Sequence, residues 1–133
     1  MRLKILHLED NSLKQSAIER VIRSVCNADI DWVTDVNAGF KKVEEAMKNG
    51  DLYDLAVSDM HYPLSYGLKP DWEAGEHFLR TLKNQNISLP VIMCSSANIK
   101  IPEAYGCVWY NEKHDWKSEL RGLIQRYIQT LPR

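Results

Sequence analysis

Carboxylates stand at the ends of apolar runs in this chain, and chemistry could be done there. Glu9 and Asp10 close the run Leu3-Lys4-Ile5-Leu6-His7-Leu8, and Asp59 closes Tyr53-Asp54-Leu55-Ala56-Val57-Ser58. A pair of hydroxyls, Ser95-Ser96, closes Pro90-Val91-Ile92-Met93-Cys94 in the same way. A lone Asp after a strand is ordinarily a turn residue or a helix cap. A second acidic pair in the same kind of place changes that reading. Carboxylates gathered in one crevice repel one another, so the arrangement calls for a cation. An all-oxygen site with open positions suits Mg²⁺, which keeps several waters and completes its shell with phosphate oxygens. A carboxylate beside such an ion can attack a phosphoryl group and form an aspartyl phosphate, while the ion neutralises charge on the equatorial oxygens. The Ser95 hydroxyl could then hydrogen-bond one of those oxygens. All of this needs a gap between the acids, and a salt bridge filling that gap would count against it.

The elements that must position these groups are legible as an alternation. The apolar runs are short and do not alternate with polar residues, which marks strands buried on both faces, as in a parallel sheet covered by helices. In open α/β sheets ligands bind outside the carboxyl ends of such strands. The first strand is expected over Arg2 to Leu8, with His7 packed inside it, and Asn11 can cap the helix that follows. The apolar stripe of that helix is Leu13, Ala17, Ile18, Val21, Ile22 and Val25. A short second strand, Asp31 to Thr34, precedes a helix from about Ala38 with Phe40, Val43, Ala46 and Met47 on one face and Gly50 at its end. The third strand is the run ending at Asp59. Pro63, Gly67 and Pro70 mark Met60 to Asp71 as a loop, and helical spacing resumes from Gly75 to Leu82. The fourth strand, Pro90 to Cys94, and a fifth, Gly106 to Tyr110, are separated by a stretch interrupted at Ile101-Pro102, into which a full crossover helix hardly fits. A last helix runs from about Asp115 to Gln129 on Trp116, Leu120, Leu123, Ile124, Tyr127 and Ile128. Right-handed crossovers turn this order into a doubly wound five-stranded parallel sheet with a reduced fourth helix.

Composition narrows the function classes. A chain of 133 residues fits one domain with a real core. A net charge of −1 offers no basic stripe for nucleic acid, and no apolar run approaches a bilayer's thickness. The opening Met1-Arg2-Leu3-Lys4 lacks a signal-peptide pattern. Cys26, Cys94 and Cys107 are scattered in apolar surroundings, as free thiols of a reducing compartment are. A cytoplasmic protein is expected, with neither a membrane nor a nucleic-acid partner.

The motifs Ile5-Leu6-His7-Leu8-Glu9-Asp10-Asn11, Tyr53 through Pro63, Gly75 through Leu82, and Leu89 through Ser96 stand in an order and spacing that resemble the receiver domain of two-component response regulators. The resemblance runs from Leu3 to about Ile128 and implies the flavodoxin-like receiver fold over residues 1–133. It implies that Asp59 is the phosphoacceptor, that Glu9 and Asp10 hold Mg²⁺ with Asp59, and that the backbone carbonyl of His61 is the remaining protein ligand. Ser95 falls at the family's switch Ser or Thr, and Ser96 at the small residue beside the phosphoryl site. The implied role is that of a phosphoprotein, not an enzyme, which accepts phosphate from a histidine kinase or phosphotransfer protein. It would signal by contact with an output protein, since no DNA-binding or catalytic segment follows the last helix.

Three departures from the family pattern stand out. The connection from Pro63 to Gly75 is longer than usual, and its Tyr66, Lys69 and Trp72 either approach the phosphorylation site, form a partner surface, or belong to a tolerated insertion. The stretch Ala97 to Tyr105 is short where the family has its fourth helix. The family's lysine after the fifth strand, which pairs with the acceptor, is displaced: counting from the strand puts Tyr110 or Asn111 in its place, and counting back from the last helix puts Lys113 there. The aromatic switch position is correspondingly Val108 or Tyr110. A displaced lysine and a missing helix also suit a receiver-like binding module that works without phosphate. A Mg²⁺-dependent phosphohydrolase with an aspartyl nucleophile fits less well, because the second acid it needs two residues on is His61. A glycine-rich nucleotide loop is absent after the first strand.

Overall fold

The computed structural model describes residues 2–132. The chain runs β1 (Arg2–Leu8), α1 (Ser12–Val25), β2 (Asn27–Val33), α2 (Val36–Asn49), β3 (Leu55–Ser58), β4 (Tyr62–Pro63), β5 (Pro70–Asp71), α3 (Ala74–Asn84), β6 (Val91–Ser95), β7 (Gly106–Trp109) and α4 (Trp116–Gln129). Five strands form one parallel sheet in the order β2-β1-β3-β6-β7, and β4-β5 make a separate antiparallel hairpin with two residues in each strand. None of the described helices is long and apolar enough to cross a membrane.

The unbroken apolar runs are explained by two cores, one on each face of the sheet. Ile5, Leu55, Val57, Ile92, Cys94 and Val108 point into the core shared with α1 and α4, where Ile18, Ile22, Leu120 and Ile124 meet them. Their neighbours Leu6, Leu8, Ala56, Val91 and Met93 point into the core shared with α2 and α3, which holds Val43, Phe78, Leu79 and Leu82. With period 2 along a strand and apolar material on both sides, the central strands are apolar on both faces over most of their length, with His7, Ser58 and Ser95 as buried polar exceptions. The helices start and stop on local chemistry. Asn11, Asp35 and Asp115 accept backbone N–H bonds from Lys14, Ala38 and Ser118, and Gly50 closes α2 in the left-handed region at φ 68°.

The structure revises the sequence reading at several places. β2 begins at Asn27, because it is an edge strand paired over its whole length with β1, and its exposed polar positions hide it from an apolar count. The expected loop after Asp59 holds the β4-β5 hairpin, anchored by the wholly buried Tyr62, whose hydroxyl lies 2.9 Å from Ser58 Oγ. The hairpin is tied to the start of α2 by Asn37 N–H donating to the Leu64 carbonyl at 3.0 Å and by an Asn37–Ser65 side-chain contact. Between β6 and β7 no helix forms at all. Ile99, Ile101 and Ala104 lay their side chains on the α2/α3 core from an irregular segment. Leu13 and Met47, expected on buried stripes, are exposed at 82% and 49%. The Leu13 reversal matters for the site, because its neighbour Lys14 takes the buried position at 8%.

Candidate functional site

The carboxyl ends of β1 and β3 are stitched together past their last paired residues. Glu9 N–H donates to the Val33 carbonyl at 3.0 Å, and Asp59 N–H to the Leu8 carbonyl at 2.9 Å. The Trp32 indole N–H donates to the Glu9 carbonyl at 2.6 Å. These bonds hold the backbone of both acids, so their side chains emerge together above the α1/α4 face. One carboxylate oxygen from each of Glu9, Asp10 and Asp59 lies within 4.8 Å of the others. Glu9 and Asp59 are buried, and Asp10 is exposed at the mouth.

A fourth group stands among them that the sequence reading had assigned no role. Lys14 comes up from the first turn of α1 and places Nζ 2.9 Å from Glu9 Oε1 and 3.0 Å from Asp59 Oδ1. The gap expected to be open between these acids is therefore bridged by a salt bridge, which counts against an open metal site in this state. The same Nζ lies 5.3 Å from the centre of the Tyr110 ring, which packs on Trp116 with ring centres 4.6 Å apart. A signal for Lys14 was present in the sequence. The first turn of a helix favours acidic residues, because the backbone dipole is positive there, yet α1 has none and carries a lysine instead. A cation in that unfavourable place is best accounted for by acids outside the helix, and they are Glu9 and Asp59.

The electrostatics leave the pocket short of positive charge. Burial pushes the Glu9 carboxyl up to about 7; the Lys14 charge opposes the rise and Asp59 adds to it. Lys14 itself is held above its ordinary value, because Asp59 and Glu9 outweigh the burial that would lower it, so it stays an ammonium. Three carboxylates face one ammonium. Glu9 Oε2 accepts the Asn11 backbone N–H at 3.2 Å, and Oε1 is paired with the Lys14 ammonium at 2.9 Å. Asp59 Oδ1 takes the Met60 N–H at 2.7 Å as well as Lys14. Among the described residues Asp59 Oδ2 has no hydrogen-bond donor, which leaves one oxygen of that carboxylate for other chemistry. Hard oxygen donors and surplus negative charge fit a divalent cation such as Mg²⁺, which would share the pocket with Lys14 or displace it.

The remaining residues singled out from the sequence lie as follows. Ser95 is buried at the end of β6, and its hydroxyl accepts the Ala97 N–H at 3.1 Å. Ser96 is exposed, with its carbonyl accepting the Trp109 indole N–H at 3.1 Å. Lys113 is exposed in the turn before α4. Its backbone N–H is held by Asn111 Oδ1 at 2.9 Å, and its side chain makes no ion pair among the described residues. Val108 is buried in the α1/α4 core, and half-buried Tyr110 borders the acids. His61 packs its ring on Trp72 with centres 4.2 Å apart. Trp72 and Tyr66 are themselves largely exposed on the hairpin side of the crevice.

A five-stranded parallel sheet in this order, with acids at the ends of its first and third strands, is the flavodoxin-like fold of response-regulator receiver domains. Solved structures of such domains overlie the chain along nearly its whole length. The phosphorylated cyanobacterial phytochrome response regulator RcpA matches at TM-score 0.73, 16% identity, covering 99% of this chain and 98% of its own. The Mn²⁺-bound response regulator Rcp1 matches at TM-score 0.70, 15% identity, covering 98% and 97%. The chemotaxis response regulator CheY4 of Vibrio cholerae matches at TM-score 0.69, 16% identity, covering 96% and 99%. No protein-family model and no curated protein matches the sequence. At these identities the likeness is one of fold, and the chemistry has to be argued from the side chains.

Proposed function

We propose that the chain is a receiver module that takes a phosphoryl group onto Asp59 and signals through protein contacts. The observation that carries the reading is the convergence of Glu9 and Asp10 with Asp59, far away in sequence, to within 4.8 Å, with Asp59 Oδ2 free of donors among the described residues. In the step proposed, Asp59 Oδ2 attacks the phosphorus of a phosphohistidine on a histidine kinase or phosphotransfer protein. The new O–P bond forms as the P–N bond breaks, and the imidazole leaves with the bonding electron pair and takes up a proton. Glu9, Asp10 and Asp59, with the His61 carbonyl, would hold Mg²⁺. The ion supplies charge neutralisation for the phosphoryl oxygens. Ser95 and Ser96, at the end of β6, would contact the phosphoryl group. The partners are a phosphodonor and an output protein inside the cell, and no turnover beyond self-catalysed phosphorylation and dephosphorylation is assigned.

The test is intact-mass analysis after incubation with acetyl phosphate and Mg²⁺. The wild-type protein is expected to gain one phosphoryl mass and Asp59→Asn none. An unmodified wild type, or equal modification of both, overturns the reading. The Lys14 ion pair favours a second reading, a receiver-like binding module that works without phosphate. In that case Asp59→Asn leaves partner binding unchanged.

A further inference from the structure

Lys14 sits where a divalent ion would have to sit. Its ammonium touches Glu9 Oε1 at 2.9 Å and Asp59 Oδ1 at 3.0 Å, and these two buried acids are among the three whose oxygens come within 4.8 Å. Two cations that share ligand oxygens in a buried pocket repel one another across a short distance, and that repulsion is weakly screened because little water reaches it. The ammonium is also rooted differently from the acids. Glu9 and Asp59 are fixed by sheet bonds, whereas Lys14 hangs on a flexible four-carbon stem from a helix end, beside the exposed Leu13 and the open mouth at Asp10. When the pocket must change occupant, Lys14 is the part that can move.

We infer that Lys14 is a tethered counter-ion that competes with a divalent cation for Glu9 and Asp59, so that metal enters only as the ammonium swings out. This rests on the receiver reading for its purpose, but not for its test. In the metal-free protein Lys14 neutralises part of the acidic charge and blocks the ligand oxygens. In the loaded protein its ammonium is returned to solvent beside Asp10. The consequence is a weakened affinity for metal and a side chain whose exposure reports metal occupancy. The lone ammonium does not saturate the site: it pairs with Glu9 and Asp59, while the third carboxylate, Asp10, has no ion pair among the described residues.

The experiment uses Mn²⁺ alone as probe, with no phosphodonor, so its outcome is independent of whether Asp59 is phosphorylated. Mn²⁺ affinity is measured by titration calorimetry for wild type, Lys14→Met and Lys14→Arg. Lys14→Met is expected to bind at least about tenfold more tightly than wild type, because the competing charge is gone, while Lys14→Arg stays weak. Equal or weaker binding by folded Lys14→Met overturns the inference. Should Lys14→Met fail to fold, the wild-type protein decides. The rate of Lys14 acylation by an amine-reactive reagent, followed by peptide mass spectrometry, is expected to rise severalfold on saturation with Mn²⁺, with Lys113 as the unaffected internal reference. An unchanged or slower Lys14 rate refutes the inference. Intact-mass phosphorylation of the same samples separates failure of the receiver reading from failure of this one.

Discussion

Gly75 and Gly122 undergo the same chemical change on substitution by Ala, yet the structure assigns the two opposite signs. Gly75 lies at the start of α3, and a Cβ built there would sit 2.3 Å from the Asp59 carbonyl oxygen, 3.0 Å from Met60 Cα and 3.2 Å from the Asp59 carbonyl carbon. Ordinary contact begins near 3.4 Å, so about 1 Å of movement is required. Every clashing atom is backbone. Asp59 is held by its N–H bond to Leu8 at 2.9 Å, and Gly75 N–H itself donates to the Met60 carbonyl at 3.0 Å. Overpacking of this kind costs about 1–3 kcal/mol, and pinned backbone on both sides puts Gly75→Ala at the upper end. Gly122 is in the exposed middle of α4 with nothing within 4 Å of its Cβ position. Gly122→Ala is therefore expected to stabilise by about 0.5–1 kcal/mol, the ordinary helical gain. At about 2.1 cal/mol/K per residue, 1 kcal/mol shifts the midpoint of this chain by about 3–4 °C. Thermal unfolding should show a fall of about 7–11 °C for Gly75→Ala and a rise of about 2–4 °C for Gly122→Ala, with urea titration giving the free energies. A Gly75→Ala protein as stable as wild type would mean that α3 does not press on the backbone of Asp59 and that the site geometry is wrong. Mn²⁺ affinity should fall in the same variant, since the strain bears on Asp59.

Further outcomes follow from bonds around the site. Trp32→Phe removes the indole bond to the Glu9 carbonyl, and a loss of about 0.5–1.5 kcal/mol in urea unfolding is expected together with weaker Mn²⁺ binding; unchanged metal affinity would show that the bond does not position Glu9. Acid sensitivity should trace in part to Glu19. Burial would raise its carboxyl, but hydrogen bonds with His7 and Gln15 and the nearby charges of His7 and Arg23 outweigh it and hold it below its ordinary value. A carboxyl lowered in the folded state adds stability above its ordinary value near 4.5 and loses it as pH falls through the folded value. The stability difference between wild type and Glu19→Gln should therefore shrink as pH falls below about 4.5; a constant difference across that range would refute the assignment.

What could be read without coordinates was whatever depends on local period and composition. Runs such as Leu55-Ala56-Val57 are apolar at every position because each central strand is covered on both faces, and that pattern survives in one dimension. Asn11, Gly50 and Asp115 act within a few residues of themselves, so the helix ends they set were legible too. The edge strand from Asn27, with one face polar, and the hairpin anchored on Tyr62 were less so, because their partners are distant in sequence. Lys14 shows the limit most clearly. Its spacing fits an exposed helix position as well as a buried one, and Leu13 beside it looked the better core residue. Which of the two turned inward was decided by an attraction that exists only after β1 and β3 are neighbours. Two buried carboxylates near one helix end favour an ammonium over a leucine there, since leaving buried charge uncompensated is more costly than exposing one apolar side chain. Sequence therefore determined the layers and the edge on which the acids stand, through periodicity and caps. Tertiary structure alone decided which cation meets those acids, because charge interactions run through space and not along the chain.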